Sequence, residues 1–330
     1  MLTYTFAQEL ILRGHNVYFL DHFAESKRVP KNYFDWVFAG GNNTPAKEVI
    51  ELAKAIGAKC HLHLEGVPCW RVGFETAFQW GYDKELDPSE IEGWKDSYSS
   101  WMKYAYDGAD SCSVNGKFQK NVVETSLFDG KPLPNCHLVS CGADARYALT
   151  LPDMERKNYM VTVSRLEPNK KVFKIAEALA LLKKQGGVDV PLWVIVGYGT
   201  QEQMKKLLDI TKQAELKIKF VPCFGAEKWR WIKMARIMLQ GNSGVPPAEG
   251  LLCNTPVISF ASESVKELYG DAICLAGNNN IKEYAEGLER LLTWEIAGIT
   301  ERGKAKLLNG DLFACTQEIL AKIYEEKIFI

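Results

Sequence analysis

The sequence predicts an α/β chain of two Rossmann-like halves with mostly parallel sheets, and three observations predict it. From Gly14 onward short apolar runs alternate with helical stretches, the pattern of an open sheet covered on both faces. The length, 330 residues, is about twice that of a typical single domain. The alternation is interrupted once by Pro152-Asp153-Met154-Glu155-Arg156-Lys157, which is charged, turn-rich and has little to bury. The boundary is placed there, giving domains at 1–152 and 153–310, with 311–330 a final helix expected to cross back to the first domain.

Each element has a local reason. MLTYTFAQELILRG reads as an amphipathic helix with Tyr4, Ala7, Leu10 and Ile11 on one stripe and Arg13-Gly14 as its C-cap, so the chain opens inside a helix. Strands are expected at 17–20, 36–39 and 60–64, with Gly40-Gly41-Asn42-Asn43 as a turn and a helix over 45–56 that buries Val49, Ile50, Ala53 and Ile56. The stretch 67–106 breaks the rhythm and carries Trp70, Trp80, Trp94 and Trp101, which read as core or lid packing. Two further strands fall at 109–114 and 136–140, joined through the polar loop 125–135. The second series has strands at 159–163, 192–196, 218–221, 237–239, 257–260 and 273–275, and a strong helix with Val172, Ile175, Ala176, Leu179 and Leu182 on one face.

Composition narrows the function. Forty Lys+Arg against forty-one Asp+Glu leave a net charge of −1, so no global field recruits nucleic acid or an acidic membrane, and an anionic ligand must be met locally. Nine cysteines, none in a C-x-x-C pair, indicate neither a disulfide framework nor a zinc ribbon, and a reducing, cytoplasmic setting is expected. No apolar run is long enough to span a bilayer. Lys228-Trp229-Arg230-Trp231-Ile232-Lys233 is basic and aromatic, but reads as packing plus solvated charge, so membrane contact is at most peripheral. No strand is followed by G-x-G-x-x-G, which disfavours a dinucleotide-dependent dehydrogenase, and no metal cluster or cofactor is indicated.

Ligands of open α/β sheets sit beyond the carboxyl ends of the strands, so the residues after each strand matter. After 159–163 comes SRLEPNKK, which puts Arg165, Lys170 and Lys171 at a strand-to-helix turn: a phosphate or diphosphate site, or a solvated basic turn. After 192–196 come Gly197 and Gly199, which let backbone approach a ligand, although a plain tight turn accounts for them more simply. After 237–239 comes GNSGVPPAEG, whose Ser243, Gly244 and Val245 offer N–H groups and whose Glu249 offers a carboxylate, an acid that also suits a helix N-terminus on dipole grounds alone.

SRLEPNKK, VGYG and GNSGVPPAEGLLCNTPV, in that order, resemble the C-terminal domain of the GT-B glycosyltransferases of the GT4 family, whose pattern is G-R-L-x-x-x-K, V-G-x-G and G-F-G-x-P-P-x-E-A-M-A-x-G-x-P-V. LILRGHNVYFL and LVSCGADARY are similar, more loosely, to segments of its N-terminal domain. The resemblance implies transfer of a sugar from a UDP- or GDP-sugar donor to an acceptor hydroxyl of a glycan, lipid or protein, with retention and without a metal. It implies that Arg165 and Lys170 hold the diphosphate beside Lys171, that Glu249 accepts from the ribose hydroxyls, and that Phe224-Gly225 lies near the base. His63 and Glu65, at the end of the strand over 60–64, are candidates near the donor sugar, although His63 serves equally well as a packed strand residue. Two departures stand out. Gly241 occupies the position of the first acid of the family's E-x7-E pair, and the chain lacks the strand and Gly-rich loop that usually precede the first helix. A weak or inactive relative that binds nucleotide sugar is the alternative.

Overall fold

The computed structural model describes residues 2–19, 29–40, 46–63, 100, 103–140, 142–167, 170–223, 225–242, 244–293 and 297–330. These fall into two compact units, the first comprising the described residues up to Gly142 together with Gln317–Ile330, the second Ala143–Thr316.

In the first unit α1 (Leu2–Leu12) is followed by β1 (Trp36–Gly40), α2 (Ala46–Ile56), β2 (Lys59–His63), β3 (Ser111–Val114), α3 (Lys117–Leu127) and β4 (Cys136–Leu138). The four strands form a parallel sheet in the order β1-β2-β3-β4. Register aligns Phe38 with His61, His61 with Ser111, and His63 with Ser113. Because side chains alternate along a strand, one face carries Phe38, His61, His63, Ser111 and Ser113, and the other Val37, Ala39, Cys60, Leu62, Cys112, Val114 and Cys136. The second face joins Ala46, Val49, Ile50 and Ala53 of α2 in one core, which the predicted helix face anticipates.

The first face is covered by aromatic side chains of α1 and of the last helix, α12 (Gln317–Lys327). Phe6 packs on Phe38 and on Tyr324, with ring centroids 5.8 and 4.8 Å apart. Arg13 Nε donates to both carboxylate oxygens of Glu325 at 2.9 Å, and His15 Nε2 lies 2.9 Å from its Oε1, so that Glu325 is held down to a pKa of about 2, chiefly by the Arg13 hydrogen bond. Gly14 takes φ 95° behind the last turn of α1, a conformation glycine adopts without a Cβ penalty. Two expectations need correction. Ile11 is 49% exposed and Phe6 joins Ala7 and Leu10 in the buried stripe, because the partners of α1 are aromatic rings on α12 and β1. Val17–Phe19 forms no strand, and Tyr18 instead packs edge-on against Tyr33 and Phe34; Leu20 lies outside the described residues, as do 41–45 and Leu64.

The second unit is built from α4 (Ala145–Thr150), β5 (Lys157–Val163), α5 (Val172–Gln185), β6 (Leu192–Val196), α6 (Gln201–Gln213), β7 (Ile218–Val221), α7 (Ala226–Met234), β8 (Ala235–Gln240), α8 (Pro246–Leu252), β9 (Val257–Ala261), α9 (Glu263–Tyr269), β10 (Cys274–Gly277), α10 (Ile281–Thr293) and α11 (Ala297–Asn309). Its six strands are parallel in the order β10-β9-β8-β5-β6-β7, a doubly wound sheet with β5 and β8 in the middle. Runs such as Leu-Trp-Val-Ile-Val in β6 are apolar on both faces because helices cover both. Trp193, Ile195, Met160, Leu239 and Phe260 meet the fully buried Ile175, Ala176, Leu179 and Leu182 of α5 on one side. Val161, Val194, Val196 and Met238 meet Trp229, Ile232 and Leu251 on the other. The basic-aromatic run at 228–233 thus lies on a packed helix, with Trp229 and Ile232 buried and Arg230 exposed.

Candidate functional site

At the carboxyl end of the second sheet, β5 runs into Ser164-Arg165-Leu166 and β6 into Gly197-Tyr198-Gly199. The two loops continue side by side: the Ser164 N–H donates to Val196 O at 3.0 Å and the Leu166 N–H to Tyr198 O at 3.0 Å. A Cβ on Gly197, whose φ is 152°, would lie 1.9 Å from Ser164 O, and one on Gly199 would lie 2.7 Å from Leu166 Cβ. Both glycines are therefore required for packing one loop on the other, before any approach to a ligand. The exposed Arg165 projects from this ledge and pairs with Glu167, Nη1 to Oε1 2.6 Å.

Lys170 and Lys171 open α5. Lys171 is the N-cap in a left-handed conformation, φ 55°, with only 6% of its surface exposed. Its Nζ donates to Asn278 Oδ1 at 2.9 Å and stands 5.6 Å from the centre of the Phe260 ring. Burial, reinforced by the like charge of Lys174, lowers its pKa to about 8. The loop after β8 meets the same turn. A Cβ on Gly241 would lie 2.2 Å from Lys170 O and 2.8 Å from Lys171 Cβ, so the position where the resemblance expects an acid has no room for a side chain. Gly244, at φ 143°, has its carbonyl accepting from the Tyr269 hydroxyl, and Val245 and Pro246 then lead into α8. Glu249, 5% exposed, is held by Lys228 Nζ at 2.5 Å.

In the first unit the half-buried His63 ends a hydrogen-bonded chain that runs through the buried Ser111, His61 and Ser113. Ser111 Oγ lies 2.6 Å from His61 Nδ1, His61 Nε2 2.9 Å from Ser113 Oγ, Ser113 Oγ 2.8 Å from His63 Nδ1, and His63 Nε2 3.1 Å from Asn115 Oδ1. With Asn115 Oδ1 as the acceptor, one proton arrangement satisfies every link: His63 and His61 each carry a proton on Nε2, and Ser113 and Ser111 donate to the two Nδ1 atoms. Tyr324 of α12 adds its hydroxyl to Ser113 at 3.3 Å. Desolvation lowers the pKa of His61 well below the ordinary imidazole range and that of His63 to about 4, so both are neutral at pH 7. Both ring nitrogens of His63 are thus engaged within the sheet, which fits the packed-residue reading better than a catalytic one. Glu65, Phe224 and Ser243 lie outside the described residues.

Sequence reasoning missed Glu167, Lys228, Asn278 and Tyr269, the partners of Arg165, Glu249, Lys171 and Gly244. Lys228 had a signal, a cation next to Trp229 in a basic and aromatic run; Asn278, within Gly-Asn-Asn-Asn, had none. Among the described residues no group of three His, Cys, Asp or Glu side chains converges as a metal site. No helix among them is long and apolar enough to cross a membrane.

With this geometry in hand, the chain is identified by its fold as GT-B, the two-unit α/β architecture of glycosyltransferases. Three solved structures carry that conclusion. HepE of Anabaena, in complex with UDP and glucose, matches with a TM-score of 0.68 at 15% identity over 89% of this chain and 78% of its own. The pneumococcal O-GlcNAc transferase GtfA, in complex with UDP and GlcNAc, matches with a TM-score of 0.64 at 17% identity over 92% of this chain and 58% of its own. Sucrose-phosphate synthase from Thermosynechococcus elongatus gives a TM-score of 0.64 at 14% identity, over 89% and 72% of the two chains. More particularly, residues 151–302, nearly all of the second unit, match the family described as glycosyl transferases group 1. No curated protein matches the chain by sequence.

Proposed function

We propose that the chain transfers a sugar from a nucleotide-diphosphate donor, UDP- or GDP-linked, to an acceptor hydroxyl, with retention and in the manner of the GT4 enzymes. The observation that carries this reading is the loop cluster of the second unit: Arg165, the Lys170–Lys171 turn and Glu249 all follow parallel strands at one end of the sheet, within the stretch that matches glycosyl transferases group 1. The complexes of HepE with UDP and of GtfA with UDP are in keeping with a nucleotide donor.

Breaking the bond between sugar and diphosphate builds negative charge on the leaving diphosphate. Fixed cations that meet that charge stabilise the transition state more than the ground state, the condition for acceleration. Arg165 is half exposed and bound to a single carboxylate, so it exchanges Glu167 for phosphate oxygens without desolvating a buried pair. Lys170 supplies the second cation and the buried Lys171 a third. In this reading the cations do the work that a divalent ion does elsewhere, and the enzyme acts in the cytoplasm on a glycan, lipid or protein acceptor.

Mass spectrometry of the products formed with a panel of nucleotide sugars tests the reading. Arg165→Ala and Lys170→Ala are each expected to reduce turnover by about 10²–10³ with the fold intact, as loss of a charge-stabilising donor does elsewhere. Unchanged turnover in both variants refutes it. One observation favours a second reading, a binder with weak or no transfer: Gly241 excludes a side chain where an acid is expected. Nucleotide-sugar binding without product from any donor supports that second reading.

A further inference from the structure

Glu249 is more confined than a ligand-binding acid needs to be. Its side chain is 7% exposed, and Oε1 lies 2.5 Å from Lys228 Nζ. The other oxygen, Oε2, is buried and has no hydrogen-bond partner among the described residues. A buried acceptor without a donor costs free energy, and a charged one more so. The backbone behind it is fixed. Gly250 is pressed so closely on β9 and β8 that a Cβ there would lie 2.6 Å from Val257 Cγ2 and 2.8 Å from Met238 Sδ. The loop ahead of α8 is tied by the Tyr269 hydroxyl on Gly244 O.

Lys228 is equally unusual for a surface helix. Its side chain is 16% exposed, its ammonium stands 5.3 Å from the centre of the buried Trp229 ring, and among the described residues its carboxylate partner is Glu249. The ammonium takes one carboxylate oxygen and so fixes the plane of the group, leaving Oε2 as its other acceptor.

We propose that Lys228 is a positioning residue that makes Glu249 a reader of a vicinal diol, selecting a ribonucleoside diphosphate over its deoxy counterpart. The inference rests on the proposed nucleotide-sugar site. Oε2, held in one place, accepts from the ribose hydroxyls; a carboxylate released from Lys228 rotates and loses that preference.

The test is calorimetric titration of the full chain and of Lys228→Met, Lys228→Gln and Lys228→Arg with UDP, GDP and ADP and with their 2′-deoxy forms. For the nucleotide bound best, the unsubstituted protein is expected to favour the ribo form by about tenfold or more, the effect of a hydrogen bond to a charged group. In Lys228→Met the preference falls to within about twofold, while affinity for the deoxy form is retained, and Lys228→Arg restores most of the preference. Retained deoxy binding shows that the variant is folded, and Lys228→Gln serves if Lys228→Met is not. Equal weakening of ribo and deoxy forms with the preference intact gives Lys228 a packing role only and overturns the inference, as does a preference unchanged in every variant. If the unsubstituted chain binds none of the nucleotides, the proposed function fails first, and the inference with it.

Discussion

The two sheets differ in what they bury. The second unit fills its strands with Met160, Val161, Trp193, Val194, Ile195, Leu239 and Phe260, all fully buried, and the indole among them is satisfied: Trp193 Nε1 donates to Thr162 Oγ1, which donates to Leu239 O. The first unit sets His61, His63, Ser111 and Ser113 beside Phe38 on one face of its sheet, and closes it with aromatic rings from α1 and α12. An apolar sheet is stabilised by area removed from water and is indifferent to pH. A sheet threaded by a hydrogen-bonded histidine chain is stable only while each proton stays in place, because a buried polar group that loses its partner costs what an apolar one never does.

Acid separates the units most strongly. The folded-state pKa of His63 is lowered to about 4 from an ordinary value of 6.5, by desolvation, and that of His61 lies well below its ordinary value for the same reason, with His63 and His137 adding repulsion. Below 6.5 the unfolded chain binds protons that the folded chain refuses, so stability falls with pH until the folded histidines protonate as well. For His63 alone the loss amounts to about 3 kcal/mol by pH 4. Peptide-resolved hydrogen exchange, corrected for intrinsic rates, is expected to show 36–63 and 111–138 losing protection between pH 6.5 and pH 4 while 157–163 and 192–196 keep theirs. His61→Phe, which removes one of the two titrating groups, is expected to lessen the slope even if it lowers stability at neutral pH. Simultaneous loss in both units breaks the comparison.

The same difference explains what was legible in the sequence. In the second unit 192–196 and 218–221 are strands at the predicted bounds and the predicted face of α5 is wholly buried, because β-branched and aromatic runs carry the burial signal directly. In the first unit Lys-Cys-His-Leu-His and Ser-Cys-Ser-Val are legible as strands, but their polar side chains carry no sign that they are buried on a hydrogen-bonded face. The apolar run at 17–19 misled in the opposite direction, with Tyr18 and Phe19 exposed. For the site, Arg165, Lys170 and Glu249 stand out in sequence because motif spacing reports chemistry. Lys228, Asn278 and Glu167 do not, because partnership across the fold leaves no mark on spacing. Nor does sequence tell that Gly197 and Gly199 face a neighbouring loop.

A smaller effect belongs to the second unit and runs on the alkaline side. Lys171 titrates at about 8 when folded and at 10.5 when unfolded. Below 8 it is charged in both states and the full cost of burying it stands. Between 8 and 10.5 the folded chain gives up the proton first, the unfolded chain binds more, and stability rises with pH. The gain approaches about 3 kcal/mol at most. Urea unfolding of the second unit at pH 7.5 and pH 10, followed through its buried tryptophans, is expected to show this rise in the parent and lose it in Lys171→Met. A diphosphate added at pH 8.5 is expected to drive proton uptake, because an anion nearby restores the ammonium. A midpoint that falls with pH in the parent contradicts an ammonium destabilised by burial.

The smallest effect comes from Gly241, and it asks whether steric fit or missing charge limits the second unit. If the absent acid were simply a lost side chain, Gly241→Glu would recover the family's pattern and raise transfer. The structure predicts otherwise, since the first atom of any side chain there meets Lys170 O at 2.2 Å and Lys171 Cβ at 2.8 Å. Neither neighbour is the far end of a flexible chain; both belong to the left-handed turn that opens α5, so the turn itself must move. Gly241→Ala, which adds the clash without the charge, is therefore expected to destabilise by about 1–3 kcal/mol, the range for overpacking, and Gly241→Glu by no less. Lys171→Gly, which removes the Lys171 Cβ contact and suits the left-handed φ, is expected to soften the clash in the double variant without abolishing it, because the contact with Lys170 O remains. Thermal melts of the four proteins decide the matter. Equal stability of Gly241→Ala and the parent would mean that the turn yields freely and that the missing carboxylate, rather than the packing beneath it, is what sets this chain apart.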